Sequence, residues 1–419
     1  MSELEETRNV RMKRFPYKEA LRQWWNAPSA EKAEFDVLSM LPFFPKPDAT
    51  RTATSKLVDI GKNRYINEFH IQNTTNGTPH RNLVMLHGYG TGLGIFFQNY
   101  DQISSTPDWN VFSLDLLGLG RSSRRPKFKI QTSDTDKKIV NEKTGEVVYP
   151  AVIESENYFI DAIEDWRQVR KIEKFTLMGH SMGGYLAAAY AFKYPERVEK
   201  LILVSPVGVE RSGDVEVDDS ASLLQGAKEI AAQPVPDERL FPAITHDEGM
   251  KVHPGAIPPQ EKIHWLMKYL WTHHYSPFML IRQAPPGVGV RLMSAWSLWR
   301  FQDLSEEDRM KLHLYSYKLM DSKASGELAL TRLLKPVALA RMPLLDRLDK
   351  IKCPTMWMYG EKDWMNAEAG AEATQTLNRN ASNENNTQSV FKLVKRAGHH
   401  IYLDNTRAFN SLIVDFMTR

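Results

Sequence analysis

Three residues of this 419-residue chain have the types and the order that acyl-ester chemistry needs: Ser181, Asp363 and His399. A serine hydroxyl is a weak nucleophile until a neighbouring base takes its proton, and the base works best when an acid fixes its tautomer. Ser181 lies in Gly179-His180-Ser181-Met182-Gly183, between the apolar run FTLM and an Ala-rich helical pattern opening at Tyr185. Glycines there permit a sharp strand-to-helix turn that projects the hydroxyl beside a helix N-terminus, where developing negative charge is favoured. A bare glycine turn is the plainer alternative, and the strand before it and the helix after it argue against that. His87-Gly88-Tyr89-Gly90 closes an earlier strand-like run. A loop at that place can offer one backbone N–H to an oxyanion, the residue after the nucleophile offering the other. The amides of Tyr89 and Met182 are therefore the expected donors.

The acid and the base follow downstream. Asp363 stands in YGEKDWM just past one strand-like run, and His399 stands in RAGHHIYLD past the last. Strand-end loops are where parallel sheets collect reactive groups. Taken singly, Asp363 reads as well as a helix N-cap, and His399 as a surface-loop histidine. Their order after Ser181 favours the chemical reading. Glu361 and His400 are rivals; the histidine of the Gly-His step and the Asp are preferred. This chemistry calls for no metal and no cofactor.

The elements that must position these groups alternate along the chain. Short β-rich runs are LVDIG, INEFHIQ, NLVMLH (82–87), NVFSLD (110–115), FTLMG (175–179), KLILVS (200–205), TMWMYG (355–360) and FKLVKR (391–396). The last six are expected to be buried on both faces, as in a mostly parallel sheet. NYFIDAIEDWRQVRKI and GYLAAAYAFKYPERV read as helices that pack on it. Between 206 and 355 strand alternation stops and Pro, Trp and Met abound, which predicts a helical insertion. A charged stretch at 127–151 reads as a surface loop. The expected organisation is a basic Trp-containing segment (1–50), a first core part (51–206), a helical cap (207–345) and a second core part (346–419).

Composition bounds the classes. Hydrophobic residues at 42% and charged residues at 25% are ordinary globular values. A net charge of +3 is too weak to indicate nucleic acid. One cysteine leaves no internal disulfide framework and fits a reducing compartment. The start, MSELEETRNVRMKRF, lacks the apolar region of a secretory signal, so an intracellular protein is expected. No run approaches 18 uncharged apolar residues, so no spanning helix is expected.

LDLLGLGRSSRRPKF (114–128), ENYFIDAIEDWR, GHSMGGYLAAAYAFKYPERVEKLILVSPVG and GHHIYLDN together resemble the lysophospholipase-like α/β-hydrolases. That branch includes fungal cardiolipin-specific deacylases, a fungal lysophosphatidic acid acyltransferase-like protein, and the vertebrate lipase coactivator with its N-acyl phosphatidylethanolamine lipase relative. YSPFMLIRQAPPGVGVRL, ASGELAL (324–330) and RQWWNAPSAEKAEFDVLSML extend the resemblance to the cap and the entry helix. It implies an α/β-hydrolase fold: a mostly parallel eight-stranded sheet flanked by helices, with a helical cap inserted between core strands. It also implies Ser181 as nucleophile, Asp363 as acid and His399 as base. One member of the branch lacks the nucleophile and activates another lipase; this chain keeps Ser181. The branch carries an H-x4-D pattern that has been read as an acyltransferase signature, here His399 to Asp404. The hydrolase reading already uses His399, and Asp404 is expected to cap the following helix. The Arg124-Arg125 pair and the 127–151 insertion lean towards fungal members.

The cap supplies material for an acyl pocket: Trp265, Met267, Tyr269, Leu270, Trp271, Phe278, Met279, Leu280, Trp296, Leu298 and Trp299. Most of these suit the cap's own core, yet aromatic and Met surface also suits an acyl channel. Arg282, Arg291 and Arg300 are interleaved and could hold a phosphate head group. Arg282, Arg291, Trp296 and Trp299 are the expected substrate contacts. The N-terminal Arg8, Arg11, Lys13, Arg14, Lys18 and Arg22 alternate with Val10, Met12, Phe15, Tyr17, Leu21, Trp24 and Trp25, which suits an interfacial helix on anionic lipid. A basic tail stapled to the core by Trp is the competing reading. The expected function is deacylation of a phospholipid at a peripheral membrane surface, with cardiolipin first and monolysocardiolipin as product. That places the protein on the matrix side of the mitochondrial inner membrane, with the cytoplasm or lipid droplet as alternative. Acyl-CoA-dependent acylation of lysophosphatidic acid and a non-catalytic lipid-droplet or lipase-regulating role are the rival functions.

Overall fold

The computed structural model describes residues 14–124, 128–129, 131–132, 134–140, 147–211, 271–276, 278–335, 338–381 and 388–419. Of the expectations above, those on Trp265, Met267, Tyr269, Leu270, Arg8, Val10, Arg11, Met12 and Lys13 lie outside the described residues, as do parts of the 127–151 insertion and of the cap.

Eight strands form one sheet: β1 (Arg51–Asp59), β2 (Tyr65–Asn73), β3 (Arg81–Leu86), β4 (Trp109–Leu114), β5 (Phe175–His180), β6 (Val198–Val204), β7 (Thr355–Gly360) and β8 (Val390–Val394). Their order is β1-β2-β4-β3-β5-β6-β7-β8, and only the β1–β2 and β2–β4 pairs are antiparallel. The fold class expected from the alternation is the one observed. Parallel strands need crossover connections, and helices on both faces provide them. The longer helices are α1 (Tyr17–Trp25), α2 (Ala30–Leu38), α3 (Pro150–Val169), α4 (Met182–Lys193), α5 (Val288–Arg300), α6 (Glu306–Asp321), α7 (Ala367–Ala381) and α8 (Thr406–Thr418).

Side chains alternate across the sheet. Val84, Leu86, Leu201, Leu203, Trp357 and Tyr359 join one buried core with Phe159 and Trp166 of α3 and Ala187 of α4. Leu83, Met85, Ile202, Met356 and Met358 join another with Val37 of α2 and Phe409 and Ile413 of α8. This two-sided burial is why the central strands read as unbroken apolar runs. The expectation fails at β8, which is only half-buried because it lies at the sheet's edge with a single neighbour. Nor does α4 open at Tyr185: it begins at Met182, directly after the turn at Ser181. The described part of 127–151 is not all loop, since Ile139–Val140 pairs with Val147–Val148 as a small antiparallel ribbon.

Helices α5 and α6 and the short helical turns Met279–Arg282, Gly326–Ala329 and Leu330–Leu333 lie between β6 and β7 in sequence. The N-terminal segment is not a loose tail from Arg14 onward. Helices α1 and α2 are separated at Pro28, and Ser29 caps α2 by accepting from the Lys32 N–H. The Phe15 N–H donates to Ser294 Oγ of α5 at 3.0 Å, and the Phe15 ring sits edge-on to His313 of α6. Among the described residues no helix is long and apolar enough to cross a membrane.

Candidate active site

Every expected reactive residue of the core sits just beyond the C-terminal end of a parallel strand: His87 after β3, Ser181 after β5, Asp363 after β7 and His399 after β8. Parallel strands end on one edge of the sheet, so residues separated by up to 218 positions meet there.

The turn at Ser181 is sterically tight. Its φ of 54° and ψ of −118° put a non-glycine residue in a strained conformation. The backbone holds it there: the Ser181 N–H donates to the Val204 carbonyl at 2.9 Å, and its carbonyl accepts from the Tyr185 N–H. Glycine is required on both sides for lack of space. A Cβ on Gly179 would stand 2.1 Å from the Gly183 carbonyl oxygen, and one on Gly183 would stand 2.5 Å from that of His87.

Three side chains then line up. Ser181 Oγ–H donates to His399 Nε2 at 3.0 Å, and His399 Nδ1–H donates to Asp363 Oδ1 at 3.0 Å. These two bonds assign the imidazole tautomer. The Asp363 side chain is 1% exposed. Burial pushes its pKa up, but the hydrogen bond and charge interaction with His399 outweigh burial and hold it below the ordinary value. Asp363 also accepts from the Met365 N–H, so it serves as a turn residue as well as the partner of His399. The rivals do not occupy these places. Glu361 accepts from the Arg396 N–H, and His400 packs with its ring 5.5 Å from that of His399 and 5.6 Å from that of His180. Burial, then repulsion from His180 and His399, holds His400 neutral.

The His87–Gly90 turn abuts the serine. A Cβ on Gly88 would come within 3.2 Å of Ser181 Cβ and 2.9 Å of His180 Nδ1. His87 is fully buried; its Nδ1–H donates to the Gly88 carbonyl at 2.8 Å and its Nε2 accepts from the Leu116 N–H at 3.1 Å. Burial depresses its pKa despite nearby Asp115, so it is a neutral structural clip. Met182 is the first residue of α4, where a backbone N–H has no acceptor within the helix. Tyr89 lies in the turn itself, its ring stacked on Phe278 of the cap at 5.0 Å.

The structure shows where the expected substrate contacts sit, and it corrects the cap role of Asp404. Arg282 is engaged by Glu327 at 2.7 Å and by the Ser322 carbonyl, so its guanidinium closes the cap's own fold. Arg291 donates to the Phe15 carbonyl, and Trp299 is 54% exposed on α5. Trp296 is wedged beside Phe301 in the seam between cap and core. Asp404 does not cap α8; Asn405 does, accepting from the Ala408 N–H. Asp404 accepts from the Gly398 N–H at 2.8 Å and lies 2.8 Å from the Arg300 guanidinium.

Trp364 and Asp115 escaped the sequence reading, as did the contact made by the motif residue His180. His180 Nε2–H donates to the His399 carbonyl at 2.8 Å. Trp364 places its ring 5.0 Å from that of His399. Asp115, immediately past β4, accepts from the N–H groups of Leu93 and Arg121 and from Asn67 Nδ2, each at 2.7 Å. It thereby ties the turn that follows Gly90 to β2 and β4. Its position at a strand end was the available signal.

The comparisons agree with this architecture. A family model described as "alpha/beta hydrolase fold" matches residues 81–272. The chain is 30% identical over 359 residues to a 1-acylglycerol-3-phosphate O-acyltransferase of Arabidopsis thaliana, covering 84% of this chain and 69% of the relative. It is also 30% identical to Protein ECM18 of Saccharomyces cerevisiae, over 84% of this chain and 74% of that one. Among solved structures, one described as a probable hydrolytic enzyme from Pseudomonas aeruginosa aligns with a TM-score of 0.50 at 15% identity, covering 87% of this chain and 93% of its own. That last likeness concerns the fold alone.

Proposed function

We propose that this chain, which belongs to the α/β-hydrolase family, cleaves an acyl ester of a glycerophospholipid through a covalent acyl-Ser181. The observation that carries this reading is the continuous bond from Ser181 Oγ through His399 to Asp363, 3.0 Å at each step, on a strained turn. Ser181 Oγ attacks the acyl carbonyl while His399 Nε2 takes its proton. Asp363, ionised and buried, holds the tautomer and stabilises the imidazolium. The amides of Tyr89 and Met182 receive the tetrahedral oxyanion. His399 then returns the proton to the departing lysolipid oxygen, and water, deprotonated by His399, releases the fatty acid.

Exposed apolar side chains support action at a lipid surface. Tyr17, Leu21, Trp24 and Trp25 of α1 are exposed, Trp25 by 79%, and Leu292 and Trp299 of the adjoining α5 are exposed as well. An amphipathic element of this kind suits an interface. Cardiolipin remains the first substrate to test, and that choice predicts a place on the matrix side of the mitochondrial inner membrane.

A second reading keeps the same acyl-enzyme and changes its acceptor. The Arabidopsis relative is named for acyl transfer to 1-acylglycerol-3-phosphate, and a lysolipid hydroxyl entering in place of water would accept the acyl group by the reverse of the first half-reaction. One assay separates the two. Purified chain is given cardiolipin vesicles in one arm, and labelled acyl-CoA with lysophosphatidic acid in the other. Free fatty acid and monolysocardiolipin support deacylation; labelled diacyl product supports transfer. Ser181→Ala should reduce either by several orders of magnitude. Near wild-type turnover in that variant would overturn the acyl-enzyme mechanism.

A further inference from the structure

The peptide unit that follows His399 and the Ala397–Gly398 unit one residue before it are gripped by side chains other than the acid. The Gly398 N–H donates to Asp404 Oδ2, and the His399 carbonyl accepts from His180 Nε2–H, each at 2.8 Å. Asp404 Oδ1 in turn faces Arg300 at 2.8 Å. Arg300 is the last residue of α5, the helix to which the Phe15 N–H is anchored through Ser294. The Arg300 side chain is 12% exposed and that of Asp404 23%, so the pair is more shielded than the freely solvated bridges that contribute little.

Both ring nitrogens of His399 already have partners in Ser181 and Asp363. Asp404 therefore cannot orient the imidazole, and its two oxygens are directed at a backbone N–H and a guanidinium. We infer that Arg300 and Asp404 are positioning residues that couple the seating of the cap helix to the placement of the base. Asp404 sets the backbone that presents His399, and Arg300 sets Asp404, so a displacement of α5 relative to the sheet is transmitted to the Nε2–Oγ bond. The five-residue spacing from His399 to Asp404 then reflects loop architecture rather than a second reactive group. This inference rests on the reading of Ser181 as nucleophile.

The test uses a fluorophosphonate probe on the full chain, whose rate of reaction with Ser181 reports the base without any assumption about the lipid. Labelling rates are measured from pH 5 to 9 for wild type, Arg300→Met, Arg300→Lys, Asp404→Asn and the Met/Asn double variant, with circular dichroism as the control for folding. The plateau rate should fall ~10-fold in Arg300→Met and in Asp404→Asn, since a misplacement well under 1 Å is costly at such a site. The double variant should be no slower than the worse single one, because both substitutions break one connection. Arg300→Lys should restore most of the rate. A purely electrostatic role predicts something different: removing the cation and removing the anion would move the pH midpoint in opposite directions and leave the plateau intact. That result, wild-type plateaus in both folded variants, or losses that multiply in the double variant would overturn the inference. Labelling that persists in Ser181→Ala would instead overturn the nucleophile reading, so the two failures are distinguishable.

Discussion

Glu34→Gln should flatten the dependence of thermal stability on pH. Glu34 belongs to α2 and is fully buried; its carboxylate accepts from Arg121 at 2.6 Å, Asn67 Nδ2 at 2.8 Å and Ser55 Oγ at 3.1 Å. Burial, and after it the negative charge of Asp115 across Asn67, raises its pKa from 4.5 to about 7 against the pull of Arg121. A carboxyl that binds its proton more tightly in the folded state favours folding in acid. Its contribution is complete below about pH 4.5, declines as pH rises from there through about 7, and changes no further above that. At 1.36 kcal/mol per pKa unit the difference amounts to about 3 kcal/mol. With an unfolding entropy of about 2.1 cal/mol/K per residue over 419 residues, that corresponds to a shift of about 3–4 °C. The assay is the apparent Tm by circular dichroism at pH 5 and pH 8 for wild type and Glu34→Gln. Gln cannot ionise, so the variant should lose about 3 °C less between the two pH values. Any offset in Tm that the substitution causes at both pH values cancels in the difference of differences. Parallel pH courses for the two proteins would refute the reasoning.

Three further predictions concern other parts of the molecule. Asp363→Asn should lower kcat or fluorophosphonate labelling by about 10⁴-fold with KM little changed, because Asn does not hold the Nδ1–H tautomer of His399; steady-state kinetics on any turned-over ester checks it. Gly179→Ala should give insoluble or misfolded protein, since the new Cβ would lie 2.1 Å from the Gly183 carbonyl oxygen, and soluble yield measures that. Arg347→Met should destabilise by about 3–5 kcal/mol, because Arg347 meets buried Glu156 through two bonds of 2.6 and 2.9 Å. Adding Glu156→Gln should recover part of the loss, read by urea denaturation.

The local rules of the chain were enough to single out Ser181, Asp363 and His399, which the structure brings into hydrogen-bond contact. Apolar runs of strand length predicted the eight strands, and the glycines around Ser181 marked a turn that no Cβ on either side could share. Asp363 and His399 were legible because they follow strands, and parallel strands deliver their C-terminal ends to one edge whatever their order. What could not be read were the partners of side chains, because those depend on how distant elements pack. Arg282, Arg291 and Arg300 look alike in sequence, yet one closes on Glu327, one reaches the Phe15 carbonyl, and one meets Asp404. Asp404 resembled a helix cap until the backbone placed Asn405 in that role. His180 looked like a motif filler, but its position opposite the His399 carbonyl arises only when β5 and the loop after β8 are brought together across the sheet. Periodicity and turn chemistry are properties of neighbours along the chain. The strand order, the edge position of β8 and the link from the cap to the base are properties of packing, and only the tertiary structure decided them.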